Sequence, residues 1–425
     1  FSLFAEAWAL FSIGRRGMAI ALVALGLLTG GVSELLLRNV RPWPSTHESE
    51  PVDILIADGV IRGVGSGLAA PGAVEDGNGA MVLPAFTDFH THLDMTRLGL
   101  PFRPHTGGPT LADRIQNDLD NWRSGERSIA DGAIYTLGKM ISFGATRVRS
   151  HAQIDPDSGL ERLAGVVAAR DAHQHRCKVQ IVAFPQTGIL KSPGTEQLLD
   201  EALRSGADLI GGLDPQGFDE DAEAHLDIIF GLAQTHGVGV DIHLHDRGEV
   251  GAQQIEMICA RASELANDVT ISHCFALSSV DERRANSLVD AIAAAGVSVA
   301  TVAPGTFAPM PLEQLRERGI GFGLGQDGMR DYWSPYGTGD MLDRTWQLAF
   351  TNGFRRDDLI EACVDTATAG GAALMGINNV GLEVGDVADL VVLPGDTVTS
   401  AVMDRPQRQL VIQDGAVVAR NGQLV

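Results

Sequence analysis

Two histidines, His90 and His92, stand two positions apart at the end of an apolar segment. If that segment is a β-strand, both side chains leave the same face, because successive side chains of a strand alternate. Two imidazoles on one face can bind a single divalent ion. The spacing alone is weak evidence, since two unrelated surface or core histidines would produce it as well.

Three further ionisable residues, His243, His273 and Asp327, lie at or near the ends of later apolar segments. The carboxyl ends of the strands form the active-site rim of a parallel barrel, so these residues would meet the two histidines there. The alternative is that each is a separately hydrogen-bonded core residue. That alternative requires polar residues to fall at strand ends repeatedly by chance, so the pattern favours a metal site.

The elements that would position these residues alternate between strand-like and helical patterns, which is typical of parallel βαβ units. Eight strand candidates are present, and eight strands close a barrel. We therefore predict an α/β fold with a (β/α)8 TIM barrel over residues 83–376. The candidate strands are Val82–His92, Ala145–His151, Lys178–Gln186, Ala207–Leu213, Val238–His245, Val269–Cys274, Val297–Val302 and Gly321–Asp327.

The segments on either side of the barrel have the character of short strands and turns. Residues 32–82 and 377–425 are predicted to pair as one small β-sandwich domain formed by both chain ends, with Asp414–Gly415 as a hairpin turn. Residues 1–31 are an apolar N-terminal extension. We interpret it as sequence upstream of the natural start, with an export signal or a peripheral helix as alternatives.

The charge balance limits the classes of partner. With 32 Lys and Arg against 54 Asp and Glu, the net charge of −22 argues against binding to nucleic acid or to an anionic membrane. A small neutral or cationic substrate fits better. The four cysteines form no Cys-x-x-Cys pair and favour a reducing compartment. We expect a cytoplasmic protein, or an exported one if the N-terminal segment is a signal.

Several motifs together resemble a known family. Over essentially everything after residue 33, the chain resembles the amidohydrolase superfamily and, within it, the cytosine deaminase branch. The pattern at 243–246 is also similar to aminohydrolases acting on N-substituted triazines such as N-isopropylammelide. The motifs are HTHLD at 90–94, IVAFPQ at 181–186, EALRSGADLIGG at 201–212, DIHLHD at 241–246, SHC at 272–274, WSPYGTGDML at 333–342 and GDVADLVVL at 385–393.

The resemblance implies that His90, His92, His243 and Asp327 are the ligands of one divalent ion. Three imidazoles and one carboxylate leave a coordination position open, where a bound water loses a proton near neutral pH. Zinc is the expected ion and ferrous iron the alternative, because the donors suit either. The predicted fourth strand contains no lysine, so the carbamylated lysine of two-metal relatives has no candidate there.

The resemblance also implies roles for the residues around the ion. Gln186 matches a position that hydrogen-bonds the heterocycle, and His273 would orient the water and polarise the substrate, unless it is purely structural. Asp327 would both bind the ion and accept a proton from the water. Trp333, in a Gly- and Pro-rich loop, is expected to stack on a flat ring, with loop packing as the alternative.

The chain departs from the cytosine deaminase pattern at the proton shuttle and at the amino-binding position. Asp246 replaces the glutamate that moves a proton to the ring nitrogen, and His245 is the alternative shuttle, a support for the site, or an accessory ligand. Gly328 replaces an aspartate that meets the substrate amino group, and Met95 replaces a lysine found in several relatives. These changes put cytosine itself in doubt and suit a bulkier or alkylated amine.

We therefore predict an enzyme that hydrolyses carbon–nitrogen bonds other than peptide bonds. The expected reaction is metal-dependent deamination of a cytosine-like pyrimidine or a triazine, releasing ammonia or an amine. One alternative is hydrolysis of a cyclic or acyclic amide on the same site, and another is a non-catalytic, metal-stabilised ligand-binding barrel. The resemblance also implies a homo-oligomer.

Overall fold

The computed structural model describes residues 34–46, 48–69, 72–305 and 309–425. The predicted extension over residues 1–31 lies outside these ranges. Across the described ranges, none of the helices combines the length and the apolar character needed to cross a membrane.

Strands and helices follow one another in the predicted order. The strands are β1 (Glu34–Pro42), β2 (Val52–Ala57), β3 (Val60–Gly65), β4 (Ala73–Asp76), β5 (Met81–Pro84), β6 (Phe86–Thr91), β7 (Ala145–Gln153), β8 (Lys178–Phe184), β9 (Leu209–Leu213), β10 (Gly239–His243), β11 (Val269–Ser272), β12 (Ser298–Thr301), β13 (Phe322–Leu324), β14 (Leu390–Leu393), β15 (Leu410–Gln413), β16 (Ala416–Arg420) and β17 (Gln423–Leu424). The helices are α1 (Leu111–Asn121), α2 (Ile129–Ser142), α3 (Glu161–Ala172), α4 (Thr195–Arg204), α5 (Ala222–His236), α6 (Gly248–Ala262), α7 (Glu282–Ala295), α8 (Leu312–Glu317), α9 (Met341–Thr351), α10 (Asp357–Thr366), α11 (Ala369–Leu374) and α12 (Val398–Asp404).

Strands β6 to β13 form the predicted parallel barrel. Within the described residues they make one eight-stranded sheet in chain order, and a parallel bridge between Thr91 and Asp327 joins its two edges. Each strand falls inside or overlaps one of the eight predicted segments, so the predicted α/β barrel is confirmed. The bridge matters for function because it places Asp327 beside the end of the strand that carries His90.

The helices between the strands begin and end at residues that the sequence marks. Asp281 accepts a hydrogen bond from the backbone N–H of Arg284 at the start of α7, and Gly296, with φ of 66°, ends it. Asp221 and Gly237 do the same for α5. These caps set the lengths of the helices that return the chain to the amino end of the next strand.

A second sheet is built from both flanking segments. Strand β5 pairs with β14 in antiparallel register, and β1 pairs with β2, β4 and β5. Asp414 and Gly415 both have positive φ and connect β15 to β16 as the predicted hairpin turn. Apolar residues from both flanking segments share one buried cluster, which confirms a β domain formed by both chain ends. The predicted boundary positions stay predictions.

One fully buried ion pair joins the two parts. Arg147, on β7, donates from Nη1 to Oδ2 of Asp389, just before β14, over 2.8 Å, and neither side chain is exposed. Arg147 also donates from Nε to the hydroxyl of Thr87 over 3.0 Å. Because a buried charge without its partner is costly, this pair fixes how the barrel contacts the β domain.

Replacing Asp389 with alanine should lower the free energy of unfolding by about 3–5 kcal/mol, because the guanidinium of Arg147 would stay buried without a counter-charge. The matched control is Glu75→Ala, which removes the partly exposed pair with Arg420 and should cost about 1 kcal/mol or less. Guanidinium chloride unfolding of both variants measures the difference. Equal losses would contradict the structural role of the buried pair.

Candidate active site

Strand geometry brings His90, His92 and Asp327 together at the carboxyl end of the barrel. The backbone N–H of Asp327 donates to the carbonyl of His90 over 2.8 Å, and the N–H of His92 donates to the carbonyl of Asp327 over 3.3 Å. Asp327 has a φ of 63°, so the backbone leaves the extended conformation there, after β13. Its side chain is 40% exposed, whereas those of His90 and His92 are buried, so the site opens at Asp327.

Three pairs of the proposed donor atoms lie at or near the separations that one small ion requires. Nε2 of His92 is 3.3 Å from Nε2 of His243 and 3.4 Å from Oδ1 of Asp327, which is 3.8 Å from Nε2 of His90. Ligands of a tetrahedral ion with bonds of about 2.0–2.1 Å are about 3.3–3.4 Å apart. Nε2 of His90 is buried and has no hydrogen-bond partner among the described residues. The arrangement therefore fits a divalent ion.

A buried chain of hydrogen bonds lies behind His90. Its Nδ1 is 2.9 Å from the hydroxyl of Ser272, which donates to Oδ1 of Asp241 over 2.6 Å, and Arg149 donates to Oδ2 of Asp241 over 3.0 Å. With Nδ1 engaged, the orientation of the ring is fixed and Nε2 faces the other ligand atoms. The sequence analysis did not predict these hydrogen bonds. The signal that could have indicated them is a charged residue within each of two predicted strands, Asp241 and Arg149.

Two more imidazoles complete the cluster. His273 has a φ of 68° and is buried, with its ring centre 4.9 Å from that of His90 and 4.3 Å from that of His245. His151 is buried between His90 and His243, at 4.2 and 4.5 Å. Neither ring has a hydrogen-bond partner within the described part of the chain. The sequence analysis assigned no role to His151.

The electrostatic environment separates His245 from His273. Burial lowers the pKa of His273 to about 3, and His245 adds to that effect. Burial also acts to lower the pKa of His245, but the pKa is raised overall by Asp214, whose Oδ2 is 2.8 Å from Nδ1 of His245, together with the charges of Asp327 and Asp246. Asp214, at the turn after β9, was not predicted from the sequence.

The carboxylate of Asp246 is hydrogen-bonded to other groups of the protein. Its Oδ2 accepts hydrogen bonds from the backbone N–H of Gly217 and from the side-chain amide of Gln254, each over 2.7 Å. A methyl group on Gly217 would lie 1.9 Å from Oδ1 of Asp246, so the carboxylate packs directly on this turn. The two candidate proton shuttles of the sequence therefore differ: His245 belongs to the imidazole cluster, and Asp246 joins the β9 loop to α6.

Gln186 and Trp333 each present a buried polar atom that lacks a partner among the residues described. These atoms are the amide Nε2 of Gln186 and the indole Nε1 of Trp333. Trp333 packs in an apolar cluster with Phe184, and the Phe184 ring stacks on His243 with centres 4.0 Å apart. Since an unpaired buried donor costs free energy, both atoms are suited to hydrogen-bond a bound molecule.

A carboxylate occupies the space beside Gly328. A Cβ placed on Gly328 would lie 1.7 Å from Oδ2 of Asp331. Asp331 is buried, and its Oδ1 accepts from the backbone N–H groups of Trp333 and Ser334 over 2.8 and 2.7 Å. Burial, together with the nearby charge of Asp327, raises the pKa of Asp331 to about 7, although the two backbone hydrogen bonds act to lower it. The sequence motifs did not draw attention to Asp331.

Comparison with known proteins gives consistent matches. The model of the Amidohydrolase family matches residues 133–419, more than half of the chain. N-isopropylammelide isopropyl amidohydrolase of Pseudomonas sp. (strain ADP) is 30% identical over 365 residues, covering 82% of this chain and 89% of that protein. An uncharacterized protein of Escherichia coli (strain K12), YahJ, is 36% identical over 274 residues, which are 63% of this chain and 59% of that protein.

A solved structure agrees with these matches. The crystal structure of N-isopropylammelide isopropylaminohydrolase from Burkholderia multivorans ATCC 17616 has a TM-score of 0.87 and 40% sequence identity, and the match covers 92% of this chain and 100% of that one. The resemblance that the sequence motifs indicated is confirmed.

Proposed function

Because this chain belongs to the amidohydrolase family, a hydrolase family with members that act on carbon–nitrogen bonds, we propose that it removes an amino group by hydrolysis from a triazine or a cytosine-like pyrimidine. The amino group is free or alkyl-substituted. The observation that carries the proposal is the position of Nε2 of His92, which lies 3.3 Å from Nε2 of His243 and 3.4 Å from Oδ1 of Asp327. Nε2 of His90, beside them, has no hydrogen-bond partner within the described region.

These four residues, His90, His92, His243 and Asp327, would hold one divalent ion, with zinc expected and ferrous iron the alternative. When bound, such an ion acts as a Lewis acid and acidifies water, which makes a nucleophile available at neutral pH. Asp327 is the ligand on the open side of the site. Its carboxylate is therefore placed to accept a proton from the attacking water.

His245 is the group that we expect to deliver a proton to the ring nitrogen. Asp214 fixes Nδ1 of His245 and stabilises the protonated ring, so Nε2 is the nitrogen that would donate to a substrate. Asp246 is the weaker candidate because two protein donors already occupy its Oδ2. His273, next to His245, would polarise the substrate and orient the water.

Gln186 and Trp333 would recognise the ring. The Gln186 amide has an unpaired donor within the described region and suits a carbonyl or nitrogen on the ring edge, and the Trp333 indole supplies a flat face and a second donor. The 40% identity to an N-isopropylammelide isopropylaminohydrolase supports a triazine with a substituted amine. The carboxylate of Asp331 fills the space beside Gly328, so the glycine by itself opens no room for a larger amine.

A substrate screen tests the proposal. Purified protein with its metal content measured should release amine or ammonia from N-alkylammelides, ammelide, cytosine or isocytosine. The activity should disappear on chelation and return with zinc or ferrous ion. Turnover of cyclic imides alone would favour the amide-hydrolase alternative. Activity that does not follow the metal content would contradict the metal-dependent account, and ligand binding without any turnover would favour a non-catalytic barrel.

A further inference from the structure

We propose that the carboxylate of Asp331 accepts a hydrogen bond from the exocyclic amino group of the substrate, in the space that a side chain at position 328 would fill. This inference rests on the proposed function and names the residue that distinguishes an amino-bearing ring from its oxo product. It assigns to a loop residue a contact that the residue beside the metal aspartate cannot make, because Gly328 has no side chain.

The first support is the position of the carboxylate. Oδ2 of Asp331 lies 1.7 Å from the position that a Cβ on residue 328 would take. A side chain at position 328 and the Asp331 carboxylate in its present position therefore exclude each other. Gly328 directly follows Asp327, the predicted ligand on the open side of the site. The carboxylate of Asp331 therefore lies beside the residue that follows the predicted ligand, although its own backbone is four residues beyond Asp327.

The second support is the unequal use of the two carboxylate oxygens. Oδ1 of Asp331 accepts two backbone hydrogen bonds, from Trp333 and Ser334. Oδ2 is buried and has no partner within the described residues. Asp331 is 3% exposed, so an unsatisfied oxygen there is costly unless a bound molecule donates to it. An amine N–H is such a donor.

The third support is the link between this carboxylate and the predicted ring contact. The hydrogen bond from the Trp333 backbone to Asp331 fixes the start of the loop that presents the indole, and that indole packs near Phe184, which stacks on His243. A flat ring against Trp333 would thus have an acceptor, Oδ2 of Asp331, held by the same loop. Ring stacking and amino recognition are then positioned together.

Asp331→Asn is the direct test, since the amide oxygen can keep the two backbone hydrogen bonds while the other position becomes a donor. Two ligand pairs, ammelide with cyanuric acid and cytosine with uracil, differ in an amino or an oxo group and in the proton on the adjacent ring nitrogen. Both proteins are compared with Asp327→Asn added, so that the ligand is not hydrolysed during the titration, and at about pH 8.5, where an acid with a pKa of about 7 is ionised. For metal-loaded protein, calorimetry should then show affinity for the amino member falling about tenfold or more, the scale of one hydrogen bond to a charged group. Affinity for the oxo member should stay equal or rise.

A relocated carboxylate provides the second variant. Gly328→Asp combined with Asp331→Ser moves the acid to the adjacent position and retains a hydroxyl that can accept from the loop backbone. This double variant should recover the preference for the amino ligand. If Asp331→Asn folds and its preference for the amino over the oxo ligand is unchanged, the inference is overturned. If Asp331→Asn fails to fold, the double variant decides: a folded double variant without the wild-type preference for the amino ligand overturns the inference.

The outcome for wild-type protein separates this inference from the proposed function. If wild type binds the amino ligands and releases amine while Asp331→Asn keeps the same preference, only the role of Asp331 is lost. If wild type binds the ligands without turnover, calorimetry still decides the role of Asp331 while the proposed catalysis fails. If wild type binds none of the four ligands, the inference is overturned, while turnover of N-alkylammelides or isocytosine in the substrate screen still decides the proposed function.

Discussion

Asp327→Asn should abolish turnover, with a fall in kcat of about 10³-fold or more at saturating metal. The asparagine side chain keeps the volume but removes the negative charge from the ligand set and the proton acceptor from the open side of the site. Loss of a general base alone costs about 10²–10⁴-fold. Steady-state kinetics on the substrate found in the screen, with metal content measured for the same sample, checks this result.

The fold should survive the change because the backbone bonds of Asp327 to His90 and His92 do not involve its side chain. Asp290→Asn is a matched control, since this aspartate is on helix α7 and makes an exposed pair with Arg318. It should leave kcat unchanged. Wild-type rates in Asp327→Asn would show that the site does not work as proposed.

His245→Asn is expected to lower kcat by about 10²–10⁴-fold, because it removes the proposed proton donor to the ring. Asp246→Asn should lower kcat by less than about tenfold, since the amide can still accept from Gly217 and the neighbouring charge of Asp214 remains. Comparing kcat of the two variants on the same substrate identifies the shuttle.

The comparison has three informative results besides the expected one. A larger loss in Asp246→Asn than in His245→Asn would transfer the role to the carboxylate. Full activity in both would exclude both residues from proton transfer. A rise in KM without a change in kcat for His245→Asn would make this histidine a binding residue.

The barrel and the core of the site could be predicted because they depend on periodicity. Strand segments, their number and the alternation with helices are recorded locally in the sequence, and the side chains of His90 and His92 share a face because two residues separate them. Closure of the barrel places Asp327, after the last strand, beside His90 and His92 on the first, and the bridge between Thr91 and Asp327 shows this closure. Local signals and a closed topology are sufficient for this part.

The supporting contacts could not be predicted, because they depend on how distant strands and loops meet. Ser272 contacts His90 from a strand 182 positions later, and Asp214 reaches His245 from the preceding strand's turn. Nothing local to Asp331 indicates that its carboxylate fills the space of Gly328. Such contacts require the register and the side-chain directions of a complete structure.

The pairing of β5 with β14 has a consequence for biosynthesis. Pro84 and Leu390 are register partners although about 300 residues separate them in the chain. During translation β5 leaves the ribosome long before its neighbour exists, and its apolar edge must remain unpaired while the whole barrel is made. Newly made chains halted anywhere within the barrel should therefore expose this edge to chaperones, and completion of β14 should end that exposure.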